Sequence, residues 1–523
     1  MSSHTQRLID ALSVPSVYPH PVDRVDVIQT HISVVFLAGE FVYKIKKPLN
    51  MGFLDYTTLE KRRFFCRQEV DLNSRFSQGI YLDVVMIHQD SSGINLAGSG
   101  DVVEVAVLMK KIPEDKVLKN MLLKDLVEDH HMLELARQLK DFHDSATQSE
   151  HISLFGAPEV IHQNLSENFE QVQKYVGVSI QKDLLKEISS GSFEFLGKYL
   201  PDLRTRVKNG CIRDLHGDLH SEHIVFLQKV MLVDCIEFND RFRFSDVVSD
   251  LAFLLMDIDY LGFPRLSARL HQYYNDSLTD EFISALYRFY KSYRAFVRGK
   301  VNSFSLNEAE MSMEQRQKAG ISAQNYFKLS AHYLRNEQRP FLMVMCGLMG
   351  TGKSFLAEKI TRRIDSLVIR SDVVRKQMLG LETSQRKYDD YGGGIYSPSI
   401  TEDTYNRMFD MASEHLNQGT SVILDASFSS YHHRHAARQI ASRTGSNFLL
   451  VRLTAPEQVI RERLEKRSLI TNEPSDGRWE LFHDQKKRFH EIGDSEQADL
   501  IVLDSSALHG EELGNLVRRA FLS

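Results

Sequence analysis

The chain has 523 residues, 42% of them hydrophobic and 26% charged, enough to bury a large core and to fill about two to four domains. A net charge of −6 gives no overall basic field, so an extended nucleic-acid surface is not implied, although a local basic pocket stays open. The start, Met1 to Asp10, is polar, and no run approaches the roughly 20 apolar residues of a membrane span, so a cytoplasmic protein is expected.

From His31 to Lys47 the chain runs through HISVVFLAG and EFVYKIKK, broken at Gly39, and reads as an antiparallel hairpin. Thr58 to Phe76 has a helical period, and strand candidates YLDVVMI and VVEVAVLMKKI follow, then helical sequence through His143. Gln163 to Asn209 is mostly helical, a short β-rich patch spans His216 to Cys235, and Ser245 to Leu334 is again nearly all helical. The stretch Asn307 to Glu337 is polar, helix-forming and poor in core residues. A domain boundary is placed near its end, giving domains 1–335 and 336–523, because Pro340 precedes an apolar strand, FLMVMCG, that starts an alternating β/α pattern. Cys66, Cys211, Cys235 and Cys346 are scattered without CxxC spacing, which argues against a zinc knuckle or a disulfide framework.

In the first domain the strongest local feature is His216-Gly217-Asp218-Leu219-His220-Ser221-Glu222-His223, followed by MLVDCIEFND with Asp234 and Glu237. Carboxylates on adjacent loops suit proton abstraction and metal binding. Asp218 would orient or deprotonate an acceptor hydroxyl, and Asp234 would hold Mg²⁺ bridging ATP phosphates. Lys44 in FVYKIK and Glu69 in the next helix are placed like the lysine and helix-C glutamate that orient ATP in protein kinases, with Lys46, on the same strand face, a rival for the lysine role. Together these residues resemble the aminoglycoside phosphotransferase family, within the protein-kinase-like superfamily, across roughly Ser33 to Val301. The helical LARQLKDFHDSA and the segment FSDVVSDLAFL fit that pattern too. The resemblance implies a bilobal α+β kinase-like domain that uses ATP. Two departures stand out: the family's HGDxxxxN places a metal-binding Asn where this chain has His223, a poorer Mg²⁺ ligand, and no glycine-rich phosphate loop precedes Lys44. A regulatory kinase fold is therefore an alternative to an active one.

The second domain opens with Gly347-Leu348-Met349-Gly350-Thr351-Gly352-Lys353-Ser354, a match to GxxxxGK[ST] between a strand and a helix. Its glycines let backbone N–H groups surround phosphates, Lys353 reaches the β and γ phosphates, and the Ser354 hydroxyl can ligate Mg²⁺. A second strand ends at Ser371-Asp372 with Arg375 three residues on. Asp372 then takes the acceptor's proton, or it is only a helix cap beside a solvated Arg375. The strand VILD ends at Asp425 like a Walker B carboxylate, with Arg434 beyond it on the acceptor side, or it is an ordinary strand-end turn. Arg463 and Arg467, at i, i+4 spacing, suit a phosphate-clamping lid or a solvated basic face.

This domain resembles the small P-loop kinases that include polynucleotide kinase, gluconate kinase and the zeta-toxin group. In the polynucleotide kinase pattern an Asp-x-x-Arg follows the second strand, and the resemblance implies Asp372 as general base, Arg375 as acceptor ligand and Arg463 and Arg467 as lid arginines. The segment YGGGIYSPSITEDTY would form an acceptor-side flap. The whole arrangement is similar to a group of bacterial proteins described as bifunctional. The expectation is an α/β P-loop domain with a parallel sheet behind the kinase-like one, acting as an ATP-dependent phosphotransferase on a hydroxyl of a small molecule, nucleoside or polynucleotide end. The alternatives are a regulatory ATPase switch and a protein-hydroxyl kinase working through Asp218.

Overall fold

The computed structural model describes residues 3–522 apart from 53, 97, 276–279, 308–310, 336–338, 384–391 and 469–475. The chain divides into two compact units, residues 1–257 with 269–334, and residues 258–268 with 335–523. Among the described residues no helix is long and apolar enough to cross a membrane.

The first unit begins with a helix that the polar composition of its sequence conceals, α1 (Ser3–Leu12), whose Leu8, Ile9 and Leu12 share one buried face. Strands β1 (Val25–Gln29), β2 (Ser33–Ala38), β3 (Phe41–Lys46), β4 (Tyr81–Asp90), β5 (Gly93–Asn95) and β6 (Asp101–Lys110) form a six-stranded antiparallel sheet in the order β1-β2-β3-β6-β4-β5. Helix α2 (Leu59–Asn73) follows β3, with the Thr58 hydroxyl accepting from the Lys61 N–H as its N-cap. The period of two sorts β3 between the two faces of the sheet. Tyr43 and Ile45 pack with Leu8, Leu12, Phe36 and Ala106 on the α1 side, whereas Cys66 and Val70 of α2 pack with Val105 and Val107 on the other. Lys44 and Lys46 therefore point to the α2 side, where Glu69 lies.

Short β-pairs carry the loops of the HGD region. β7 (Ile212–Asp214) pairs with β10 (Phe244–Asp246), and β8 (Ile224–Phe226) pairs with β9 (Val230–Leu232). The rest of the unit is helical, including the long helix Glu281–Ser305 and the helix Met313–Arg335. This last helix corrects the expectation of a stretch poor in core residues. Its first half is polar, but Ala323, Phe327, Leu329, Ser330 and Ala331 are fully buried, because apolar residues three and four apart gather on one face of its second half.

The second unit is built on a parallel sheet of β11 (Phe341–Cys346), β12 (Leu367–Arg370), β13 (Val422–Asp425), β14 (Asn447–Thr454) and β15 (Leu500–Asp504), in the order β12-β13-β11-β14-β15. All six residues of β11 are buried: Leu342, Val344 and Cys346 enter one core, and Phe341, Met343 and Met345 the other. That two-sided burial is why its sequence is a continuous apolar run. The parallel arrangement brings the C-terminal ends of β11, β12, β13 and β14 to one edge, where ligands bind in open α/β sheets. Residues 258–268 complete this unit. The Arg363 guanidinium lies 4.1 Å from the Phe263 ring centroid, the Arg265 N–H donates to the Arg363 carbonyl at 3.0 Å, and the backbones at Gly262 and Gly514 meet so closely that a Cβ on Gly262 would lie 2.4 Å from Gly514 Cα.

Candidate functional site

Each unit concentrates its chemistry at the ends of its strands. In the second unit the turn after β11 is the phosphate-type loop. Gly350 has φ +77°, and a Cβ there would lie 2.9 Å from Ile460 Cγ2 and 3.0 Å from Leu464 Cγ, so the helix Glu457–Ser468 seats directly on the loop. Lys353 starts the next helix and curls back, its Nζ donating to the carbonyls of Gly347 at 3.0 Å and Leu348 at 2.8 Å. Burial pushes its pKa below the usual lysine value, with Asp425 pulling the other way. Thr351 is buried, its hydroxyl donating to the Leu348 carbonyl at 2.8 Å, and Ser354 is half-buried in the first turn of the helix. The Met349 N–H donates to Gln485 Oε1 at 2.7 Å, a contact that nothing in the sequence signals.

Around this loop the neighbouring strands deliver polar groups. Asp372, directly after β12, sits 3.0 Å from the Arg375 guanidinium. Arg375 is 5% exposed, lies 4.5 Å from the Tyr396 ring centroid and keeps a buried Nε with no hydrogen-bond partner. Tyr396 donates to Asp476 Oδ2 at 2.8 Å, which ties the flap segment to the chain before Trp479; Tyr391 of that segment lies outside the described residues. Asp425, at the end of β13 and 5% exposed, is 3.4 Å from Arg370 Nε. Arg463 donates to the Ser505 hydroxyl at 2.7 Å and carbonyl at 3.0 Å, and its Nη1 lies 3.5 Å from where a Gly352 Cβ would stand. Arg467 Nη2 is 3.1 Å from the corresponding point at Gly477, beside Met349. The expected set is thus brought together, with one departure. Arg434 is 1% exposed and spends its donors on both oxygens of Glu496 and on the carbonyls of Phe428, Ser429, His490 and Glu491, so it fastens the backbone beyond β13 and has no donor left for an acceptor.

In the first unit Glu69 divides its carboxylate between two lysines, Oε1 to Lys44 at 2.8 Å and Oε2 to Lys46 at 2.7 Å. The rivalry between these lysines has a geometric answer. Lys46 is 1% exposed and also pairs with Glu237, which accepts from the Tyr56 hydroxyl at 2.6 Å; Lys44 is more open and reaches Asp234 Oδ1 at 2.7 Å. Burial disfavours the Lys44 ammonium, but Asp234 and Glu69 outweigh it and hold its pKa well above the ordinary value. Asp234 follows β9 in a left-handed conformation, φ 61°, uncommon for a non-glycine residue. The HGD turn is held from behind: the His216 and Gly217 N–H groups donate to Asp250, and Arg294 donates to the Gly217 carbonyl at 3.0 Å. Gly217 is required there, since its φ is +83° and a Cβ would lie 2.8 Å from the Phe242 carbonyl oxygen. Asp218 stands 3.6 Å from His220 Nε2 and 3.7 Å from His223 Nδ1. Burial raises its pKa and the two imidazoles more than offset that, so it is held well below the carboxylate range. The β1–β2 turn closes on itself, the Thr30 N–H donating to the Ser33 carbonyl and the Ser33 N–H to the Thr30 hydroxyl, each at 3.0 Å. It offers no glycine cradle for phosphate.

Residues 342–492, which contain the loop and the strand-end carboxylates, match the family model described as an AAA domain. The chain thus joins a unit built on a six-stranded antiparallel sheet to an α/β unit whose parallel sheet carries the phosphate-type loop. An uncharacterized protein of Mycobacterium tuberculosis is 29% identical over 455 residues, covering 86% of this chain and 88% of that one, so the likeness runs through both units. Among solved structures, a gluconokinase from Sinorhizobium meliloti 1021 is similar over 35% of this chain and 91% of its own, at 19% identity and a TM-score of 0.24. A choline/ethanolamine kinase family protein from Mesorhizobium loti is similar over 64% of this chain and 100% of its own, at 12% identity and a TM-score of 0.37.

Proposed function

We propose that the P-loop unit is an ATP-dependent kinase that phosphorylates a hydroxyl of a small molecule, nucleoside or polynucleotide end. The observation that carries this reading is the convergence of a phosphate-type loop with two carboxylates, Asp425 at the C-terminal end of β13 and Asp372 in the first turn of the helix that follows the neighbouring β12. Lys353 leaves its loop carbonyls for the β and γ phosphates, and Arg463 and Arg467 close on the transferred group. Ser354 and Asp425 offer hard oxygen donors, which fit Mg²⁺, and the ion when bound neutralises phosphate charge. Asp372 accepts the acceptor's hydroxyl proton as the new O–P bond forms and the bond to the β-phosphate oxygen breaks, releasing ADP. Arg375, with its buried unpartnered Nε, holds the acceptor.

A second phosphotransfer site in the first unit, with Asp218 as base, is supported by the joined Lys44, Glu69 and Asp234. One experiment separates the two. The full chain is incubated with labelled ATP, Mg²⁺ and a pool of nucleosides, 5′-hydroxyl oligonucleotides, sugars and aminoglycosides, and product is separated from free phosphate. Label reaching an acceptor, lost in Lys353→Ala and kept in Asp218→Ala, is the expected result. Turnover undiminished in Lys353→Ala refutes the P-loop reading, and label appearing only as free phosphate replaces the kinase with a regulatory ATPase.

A further inference from the structure

The phosphate-type loop is braced by a side chain from far along the sequence. Met349, the third residue of the loop, donates its N–H to Gln485 Oε1 at 2.7 Å across 136 residues. A backbone N–H only donates, so the amide oxygen of Gln485 faces the loop. Gln485 is 8% exposed and lies on the short helix Phe482–Lys487, which is itself held in place. Phe482, three residues earlier and so on the same face, is 1% exposed and packs with Ile460 and Leu464 of the helix Glu457–Ser468. The loop's own Leu348 and Met349 side chains pack against that cluster, which fixes the distance that the Gln485 side chain spans.

The Met349 N–H and the Leu348 carbonyl belong to one peptide unit, which is planar and trans, so the two groups point in opposite directions. Pinning the N–H end to Gln485 therefore aims the carbonyl end. That carbonyl accepts from Lys353 Nζ and from the Thr351 hydroxyl, each at 2.8 Å. The second anchor of Lys353 is the Gly347 carbonyl at 3.0 Å, on the preceding peptide. A rotation of the Leu348–Met349 peptide would take from Lys353 one of these two anchors and from Thr351 its hydroxyl acceptor. Lysine is a point charge on a flexible four-carbon stem, so the place where its ammonium waits is set by what it is bonded to.

We propose that Gln485 is a positioning residue for Lys353: by holding the Leu348–Met349 peptide it aims the carbonyl that anchors the lysine, and so sets the ammonium where the β and γ phosphates of a nucleotide arrive. The inference rests on the reading of the P-loop unit as a nucleotide site and goes beyond it, because Gln485 then serves the phosphates that Lys353 reaches and no other part of the nucleotide.

The test is equilibrium binding of a fluorescent ATP analogue to the full chain, and its displacement by ATP and by AMP, with Lys44→Ala present throughout to weaken binding at the first unit. Gln485→Met keeps the length of the side chain and removes the acceptor. It should weaken ATP roughly three- to tenfold, the loss expected of about one net hydrogen bond, and leave AMP unchanged, since AMP has neither of the phosphates that Lys353 reaches. In a Lys353→Ala background the same substitution should cost nothing further, because the residue it acts through is gone. Trp479, the chain's one tryptophan, stacks on Phe482 with ring centroids 4.9 Å apart, so its emission shows whether the helix stays seated; if Gln485→Met unseats it, Gln485→Ala carries the comparison. An unchanged ATP affinity, equal weakening of ATP and AMP, or the full loss repeated in the Lys353→Ala background overturns the proposal. ATP bound as tightly by Lys353→Ala as by the unaltered chain overturns the nucleotide-site reading and this proposal with it, a pattern distinct from the failure of Gln485 alone.

Discussion

At the scale of single residues, the two lysines of β3 show how one face of a strand divides its labour. Lys44 and Lys46 are two positions apart and meet the same glutamate, yet Lys46 is sealed among Glu69, Glu237 and Tyr56 while Lys44 opens toward Asp234. Replacing Lys46 with Met leaves Glu237 buried with no cation, a loss of about 3–5 kcal/mol by the usual cost of breaking a buried pair. Lys44→Met is milder for stability, since Asp234 and Glu69 lose one partner at a more open position. Urea unfolding of the two variants checks the order; equal midpoints would show that Lys46 does not hold the fold. The pattern FVYKIK reveals that both lysines share a face, but not which one is sealed. That depends on Tyr56 and Glu237, which come from distant segments and carry no motif of their own.

At the scale of elements, the sequence is most readable where a period and a terminator coincide. The hairpin at Gly39, the capped start of α2 at Thr58 and the apolar run of β11 all have local causes, and the structure places them there. What escapes is an element whose apolar stripe is narrow beside its polar bulk, as in α1 and the second half of Met313–Arg335. Site residues follow the same rule. Lys353, Asp372 and Asp218 lie inside recognisable strings, whereas the commitment of Arg434 to Glu496 and the contact of Gln485 with the loop are tertiary facts. The seating of the helix Glu457–Ser468 on Gly350 is another, and it makes a sharp prediction. In Gly350→Ala the new methyl meets Ile460 and Leu464 at under about 3 Å in a backbone region L-residues avoid, at a cost of roughly 1–3 kcal/mol. Because the helix carries Arg463 and Arg467, the strain should appear as weaker nucleotide binding, measured by titration with a fluorescent ATP analogue. Affinity equal to the unaltered chain's would mean that the loop and the helix yield freely.

At the scale of the molecule, the P-loop unit is not one continuous piece of chain. Residues 258–268 belong to it, far before the strand that opens its sheet, and no change of composition announces them. Their attachment is physical rather than incidental. Phe263 lies under the buried Arg363 guanidinium, Arg518 donates to the Tyr260 carbonyl, and Gly262 and Gly514 meet backbone to backbone, an approach that no side chain permits. A fragment of residues 336–523 would therefore expose the Arg363 site and the groove at Gly514. We expect it to melt several degrees below the P-loop transition of the full chain, since a lost kilocalorie shifts a domain of this size by about 2–4 °C. Gly514→Ala makes the same point within the full chain, where a Cβ would lie 2.4 Å from the Leu261 carbonyl oxygen. It should lower that transition while leaving the fragment unaffected, because the fragment has no Leu261 to strike. If the substitution lowers both equally, the effect is helix-internal and the segment contributes nothing; a shift confined to the full chain assigns it to the packing of residues 258–268.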